Sequence, residues 1–257
     1  MGAVSARAGP SRYGRHVIRA HLAAELLIEG ESWPVFVWTI DHPAGLVLVD
    51  TGMIDSRPEI DDMSPAPHPE NIPRDVACVI NTHLHFDHCG GNRLFPGLPI
   101  HVQARELADA RSLDDYTIRE WVDFDGATYV EHEGEVEVLP GIRLLPAPGH
   151  TDGHVSFYRE RDRILIAGDA VSTTKAESLL AIATQRPELH GPPAYYTSDW
   201  DAAKRSVEKL AELRPFTVAP GHGKPMAGPE VADALMDLAV RFDEVARPKR
   251  GRYARGA

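Results

Sequence analysis

The sequence predicts a layered αβ protein. Three observations point there: short runs rich in β-branched and aromatic residues recur between Val35 and Ala219, turns containing Gly or Pro separate them, and helix-like stretches are interspersed among them. With 257 residues, 43% of them hydrophobic, the chain can bury a large core, and layered folds of this size often form one unit. The expected organisation is a flexible arm over residues 1–15, a single domain over 16–246 and a basic tail over 247–257.

Val35-Phe36-Val37-Trp38-Thr39-Ile40 reads as a strand, Asp41–Gly45 as a turn and Leu46–Asp50 as a second strand, so the three form a hairpin running into Asp50-Thr51-Gly52. Met53–Pro73 carries five prolines, at 58, 65, 67, 69 and 73, and reads as a long loop of the kind that often serves function. Val76–Ile80 is a short apolar run suited to a strand buried on both faces. Gln103–Leu113 reads as a helix, and strand-like pieces follow at Ile142–Leu145, His154–Tyr158, Ile164–Ala167 and Phe216–Ala219. Ser198, with Asp201 three residues on, reads as an N-cap opening a helix to about Leu213, with Val207, Leu210 and Ala211 on one face. Pro229 suits the first position of a last helix ending near Val245.

Lys plus Arg number 27 and Asp plus Glu 38, a net charge of −11, which argues against a surface built for nucleic-acid phosphates. Two cysteines, Cys78 and Cys89, are too few for a disulfide framework. No window approaches the roughly 18 consecutive apolar residues of a membrane span, and the polar start does not read as a signal peptide. These features predict a cytoplasmic protein with a small-molecule substrate, without a nucleic-acid or membrane partner, and leave room for a homodimer.

The chemistry concentrates in His83-Leu84-His85-Phe86-Asp87-His88, an H-x-H-x-D-H pattern. Imidazole nitrogen and carboxylate oxygen suit borderline-soft divalent metals such as zinc. In an extended turn, residues i and i+2 project to one side, so His83 and His85 can grip one ion while Asp87 and His88, beyond the bend, reach a second. Further candidates stand beside glycines downstream: His150 in Pro-Gly-His-Thr, Asp169 in Gly-Asp-Ala and His222 in Pro-Gly-His-Gly. Seven such side chains suffice for two divalent ions with a position left for water; zinc is expected, with iron and manganese as the other candidates.

Asp50-Thr51-Gly52, the stretch from Thr82 to Asn92, Pro148–Thr151, Gly168-Asp169 and Gly221–Gly223 occur in the order found in the metallo-β-lactamase superfamily, which the chain resembles over roughly residues 35–225. The resemblance implies an αββα sandwich with the metals at one edge. It implies that His83, His85 and His150 bind a first ion, that Asp87, His88 and His222 bind a second, and that Asp169 bridges them. Asp50 would hold the ligand loops from behind. Two ions roughly 3.5–4 Å apart would hold a bridging hydroxide that attacks an electrophilic centre, with Asp87 as proton acceptor. The hexapeptide and the Gly-Gly-Asn after Cys89 look most like the acyl-homoserine lactonases, which place a tyrosine three residues after the bridging aspartate. Here that position is Ser172, and Tyr195 or Tyr196 would have to substitute in space.

The implied activity is hydrolysis of a small ester, lactone or thioester. The alternatives are phosphodiester cleavage, or an oxidoreductase resembling the mononuclear iron persulfide dioxygenases. His154 and Cys89 are read as core residues, as are Trp33, Phe36 and Trp38. The segments Met53–Pro73 and Thr173–Thr197 are read as the ones that set specificity.

Overall fold

The computed structural model describes residues 18–28, 30–113 and 116–249. The expected arm over 1–15 and residues 250–257 of the expected tail lie outside these described residues.

Two sheets form the middle of the molecule. The first has seven strands: β1 (Ile18–Ile28), β2 (Glu31–His42), β3 (Gly45–Val49), β4 (Ala66–Pro67), β5 (Cys78–Ile80), β6 (Pro99–Gln103) and β7 (Thr128–His132), in the order β4-β1-β2-β3-β5-β6-β7. The second has six: β8 (Val136–Leu139), β9 (Ile142–Pro146), β10 (Val155–Arg159), β11 (Ile164–Gly168), β12 (Thr217–Pro220) and β13 (Met226–Ala227), in the order β13-β12-β11-β10-β9-β8. Strands β3, β5, β6 and β7 pair in parallel, as do β11 and β12; the other pairings are antiparallel.

Period-two alternation sorts the side chains. Trp38 and Ile40 of β2, with Val47 and Val49 of β3, face the second sheet and pack with Leu144, Val155, Phe157 and Ile166. Their neighbours Val37 and Leu48 point the other way, packing with Ile72, Val79, Phe95 and Ile100. Strands covered on both faces therefore read as unbroken apolar runs rather than alternating ones.

Short helices α1 (Phe86–Cys89), α2 (Ala104–Ser112) and α3 (Arg119–Val122) accompany the first sheet, where Leu107 and Ala110 of α2 pack with Val102 and Val122. A further helix, α4 (Leu179–Thr184), buries Ile182 against the cluster around Trp33. The outer face of the second sheet is covered by α5 (Trp200–Glu212), α6 (Val231–Val240) and α7 (Phe242–Val245), through Val207, Leu210, Leu235, Leu238 and Phe242. The αββα sandwich is thus the observed architecture. No helix among the described residues is long and apolar enough to cross a membrane.

Several local expectations need correction. The cap of α5 is Asp199, whose carboxylate accepts the Asp201 and Ala202 N–H groups, while the Ser198 hydroxyl donates to the Gly149 carbonyl instead. The last helix begins at Val231, two residues beyond Pro229, and is interrupted at Arg241 before α7. Met53–Pro73 holds two short 3-10 turns and the two-residue strand β4, which pairs with β1.

Candidate metal centre

The chemistry-bearing side chains leave the ends of β5, β9, β11 and β12, consistent with the tendency of layered sheets to place sites beyond strand carboxyl ends. After β5 the chain runs without regular structure, bending at Thr82, to His85, whose backbone is extended (φ −62°, ψ 153°), and then makes the single helical turn α1, which carries Asp87 and His88. That turn is the bend expected between the two halves of the hexapeptide. His150 follows β9, Asp169 directly follows β11 and His222 follows β12. Gly221 is required there: a Cβ would lie 2.3 Å from Asp169 Oδ1 and 2.5 Å from His88 Cε1.

All seven candidate side chains converge. His83, His85 and His150 bring ligand atoms within 4.8 Å of one another, as do His83, His88 and Asp169, and again Asp87, His88 and His222. His85 Nδ1 faces His150 Nε2 at 3.1 Å, and Asp169 Oδ2 lies 3.1 Å from His222 Nε2 and 3.5 Å from His150 Nε2. Asp169 Oδ1 lies 3.5 Å from His88 Nε2, and Asp87 Oδ2 3.4 Å from His222 Nε2. Asp169 therefore touches both ends of the cluster.

Four of the five rings are held from behind. Asp50 Oδ2 meets His88 Nδ1 at 2.9 Å and also accepts the Thr82 hydroxyl, while its Oδ1 accepts the Thr82 N–H. His222 Nδ1 lies 3.0 Å from the Pro34 carbonyl, and its ring stacks on Trp33 at 3.6 Å. Thr82 Oγ1 stands 3.0 Å from His83 Nδ1, and Thr197 Oγ1 3.5 Å from His150 Nδ1. Asp50 reaches its place through a left-handed backbone (φ 57°), which aspartate tolerates better than most residues.

The electrostatics call for a cation. Burial lowers the pKa of His83, of His85 (to about 3) and of His150, so these imidazoles are neutral and keep a lone pair to donate. Burial opposes charge on His88 too, yet the carboxylates of Asp169, Asp87 and Asp50 raise its pKa well above the ordinary value. Asp169 is held well below the usual carboxylate range: burial works against its charge, but His222 and His88 outweigh it. Among the described residues, the ion-pair partners of Asp50, Asp87 and Asp169 are histidines alone.

Nε2 of His83, His85 and His88 and Oδ1 of Asp169 are buried without a hydrogen-bond partner. Buried charges and orphaned polar atoms are costly unless paired or bound to metal. The contacts of 3.1–3.5 Å also approach the edge, about 3.3 Å, of a tetrahedron with bonds of 2.0–2.1 Å to zinc. The donor set fits divalent ions on all these counts.

Other residues fall into place around the cluster. His154 is buried and its Nε2 accepts the Asp169 N–H, and Cys89 is a buried thiol donating to the Leu84 carbonyl. Leu26, Phe86, Tyr116 and Tyr196 wall a cleft of about 10 Å³ over His85, Asp87, Asp169 and His222. Tyr116, which composition and motif reasoning passed over, is placed there by a left-handed backbone (φ 50°) and by the Phe86 N–H bonding to its carbonyl. Its ring meets Tyr196 at 4.5 Å and His85 at 5.8 Å. Tyr196 also donates to Met63 Sδ, so the two segments expected to set specificity meet at this wall. Tyr195 packs against Tyr196, with ring centroids 6.1 Å apart. Ser172 turns its hydroxyl to the Gly191 carbonyl and pairs through its backbone with His190. A larger cavity, about 310 Å³, opens beside His85 and is lined by Glu106, Asp109, Asp152 and Asp199 among others.

This sandwich, with a buried His/Asp cluster at its edge, has the form of a dinuclear metal site of the metallo-β-lactamase fold. The chain belongs to the metallo-beta-lactamase superfamily, whose family model matches residues 30–222, and it is a metallohydrolase of that fold. It is 32% identical over 232 residues to the probable metallo-hydrolase YflN of Bacillus subtilis (strain 168), covering 82% of this chain and 87% of that protein. It is 34% identical over 164 residues to an N-acyl homoserine lactonase of a Bacillus sp, covering 54% of this chain and 65% of the relative. Among solved structures, a quorum-quenching N-acyl homoserine lactone lactonase superposes with a TM-score of 0.62 at 27% identity, covering 80% of this chain and 91% of the other. Bacillus thuringiensis AiiA with N-decanoyl-L-homoserine bound at its active site also gives a TM-score of 0.62, at 26% identity, with 80% and 92% covered.

Proposed function

We propose that this metallohydrolase uses two divalent ions, zinc foremost, to cleave a small ester, with lactones the first class to test and thioesters the next. The observation carrying the reading is the complete buried set: His83, His85 and His150 for one ion, Asp87, His88 and His222 for the other, and Asp169 in contact with both groups. The likeness to lactonases supports the choice of lactones. Bound there, the ions would polarise the carbonyl of the scissile bond and lower the pKa of water enough to provide a nucleophile at neutral pH. Asp87 both binds and accepts the proton released as the nucleophile forms. Tyr196 and Tyr116 supply the wall on which the apolar part of the substrate rests, and they must part for it to enter, since the cleft holds about one water.

Phosphodiesters are disfavoured because the cavity beside His85 is lined by four carboxylates and, among its described lining residues, no Lys or Arg. The deciding experiment measures metal content and then turnover of lactones, aryl esters, thioesters and phosphodiesters by the full chain. About two ions per chain, with lactone or ester hydrolysis lost on chelation and restored by zinc, is the expected result. Two ions per chain without turnover of any lactone, ester or thioester would overturn the substrate reading. About one iron per chain would overturn the two-ion mechanism and move the search to persulfide oxidation.

A further inference from the structure

Glu106 is a buried carboxylate, 4% exposed, that belongs to neither ligand group. It stands in the first turn of α2, where the Gln103 side chain caps the helix by accepting the Arg105 and Glu106 N–H groups. Its Oε1 accepts the Leu84 N–H at 2.8 Å and its Oε2 accepts the Thr151 hydroxyl at 2.6 Å. Leu84 lies between His83 and His85, and Thr151 follows His150. One side chain thus ties together the two loops that carry the three-histidine group, one loop from each sheet.

The fit around it is close. A Cβ at Gly153 would lie 2.3 Å from the Glu106 backbone nitrogen, so the loop after His150 is pressed onto the start of α2. A packing role alone would be served better by an apolar residue, because burying a carboxyl is unfavourable unless its oxygens are bonded. Glu106 also differs from Asp50, which bonds an imidazole directly. Its hydrogen bonds run to one main-chain N–H and one hydroxyl.

We propose that Glu106 is the positioning residue of the three-histidine group, setting the distance between the His83–His85 segment and His150 and so the affinity of the first ion. The proposal rests on the two-ion reading above. It gives the two ions separate supports: the first depends on a tether between loops, the second on a carboxylate behind a ring.

The test is a chelator titration of the zinc-loaded full chain, counting ions retained, with melting of the metal-free protein measured beside it. Glu106→Gln and Glu106→Ala are expected to release one ion per chain at about 10–100-fold lower chelator strength than wild type, the usual effect of losing an outer support, while the other ion is retained as in wild type. Thr151→Val, which removes only the hydroxyl, is expected to loosen the same ion by a smaller factor. In a His150→Ala background, where the group is already broken, Glu106→Gln is expected to change metal release no further. Equal loosening of both ions, a lower melting temperature with unchanged zinc release, or an additive effect in the His150→Ala background would each overturn the proposal. Should the Glu106 variants fail to fold, Thr151→Val decides: unchanged release of the first ion overturns it. A wild-type chain that holds no ions would instead overturn the two-ion reading itself.

Discussion

The two halves of the metal centre are built on different chemistry. His83, His85 and His150 form a group of neutral imidazoles, kept uncharged by burial and steadied by threonine hydroxyls and the Glu106 tether. Asp87, His88 and His222 form a group that adds a carboxyl to two imidazoles, with Asp50 behind one ring and Trp33 stacked on another. The first group offers lone pairs at fixed spacing; the second offers titrating charge, a carboxyl and, in His88, an imidazole whose pKa its carboxylate neighbours raise. The difference teaches that one fold edge would hold two similar ions unequally, each responding to a different kind of damage.

The comparison breaks most completely at Asp169, which touches both groups. Asp169→Ala is expected to leave fewer than two ions per chain and to lower kcat/KM on the best substrate about 10³-fold, since lost charge stabilisation of several kcal/mol converts at tenfold per 1.36 kcal/mol. Metal analysis with steady-state kinetics checks this. Next comes Trp33, fully buried against His222 and donating to the Thr174 carbonyl. Trp33→Ala is expected to lower folding stability by about 3–5 kcal/mol in denaturant titrations, the usual result of emptying an aromatic site.

A change aimed at the second group is Asp50→Asn. It is expected to weaken the second ion by about 10–100-fold, through His88, and the first by less, through Thr82 and His83, the reverse weighting of Glu106→Gln, and chelator titration reads both. The smallest effect concerns pH. Burial raises the Glu106 carboxyl to about 7. A carboxyl raised on folding favours the folded state fully below its unfolded value, near 4.5, and that contribution is lost as pH rises through 7. The melting temperature of the metal-free Glu106→Gln protein, relative to metal-free wild type, should therefore climb between about pH 4.5 and 7 and then level off. A flat difference across that range would contradict it.

The charged group and the hexapeptide were legible in the sequence because their members are adjacent, or stand beside glycines that force a turn. The supports were less so. Glu106 lies in a helix with ordinary surface-type neighbours, and only the pairing of β5 with β6, together with the packing of the second sheet and its β9 against the first, brings Leu84 and Thr151 to it. Trp33 reads as core and is core, yet its stacking on His222 spans 189 positions of sequence. Strand β1 escaped notice for a local reason: Leu22-Ala23-Ala24-Glu25-Leu26-Leu27 is made of good helix formers, and pairing with β2, across an irregularity between Leu22 and Ala24, overrides that preference. Ser198 lost the cap of α5 to Asp199 because its hydroxyl was drawn to Gly149 in the turn before His150.

The ligands divide between the sheets: four follow β5 in the first, and three follow β9, β11 and β12 in the second. Ions gripped from both sides would fasten the sandwich as well as serve chemistry. Bound only by the folded chain, they would add stability that grows with the logarithm of free metal over its dissociation constant, about 2.7 kcal/mol at a hundredfold excess. The lifetime of this protein in a cell would then follow metal supply: starvation would disarm the enzyme and, by the same event, expose the chain to proteolysis.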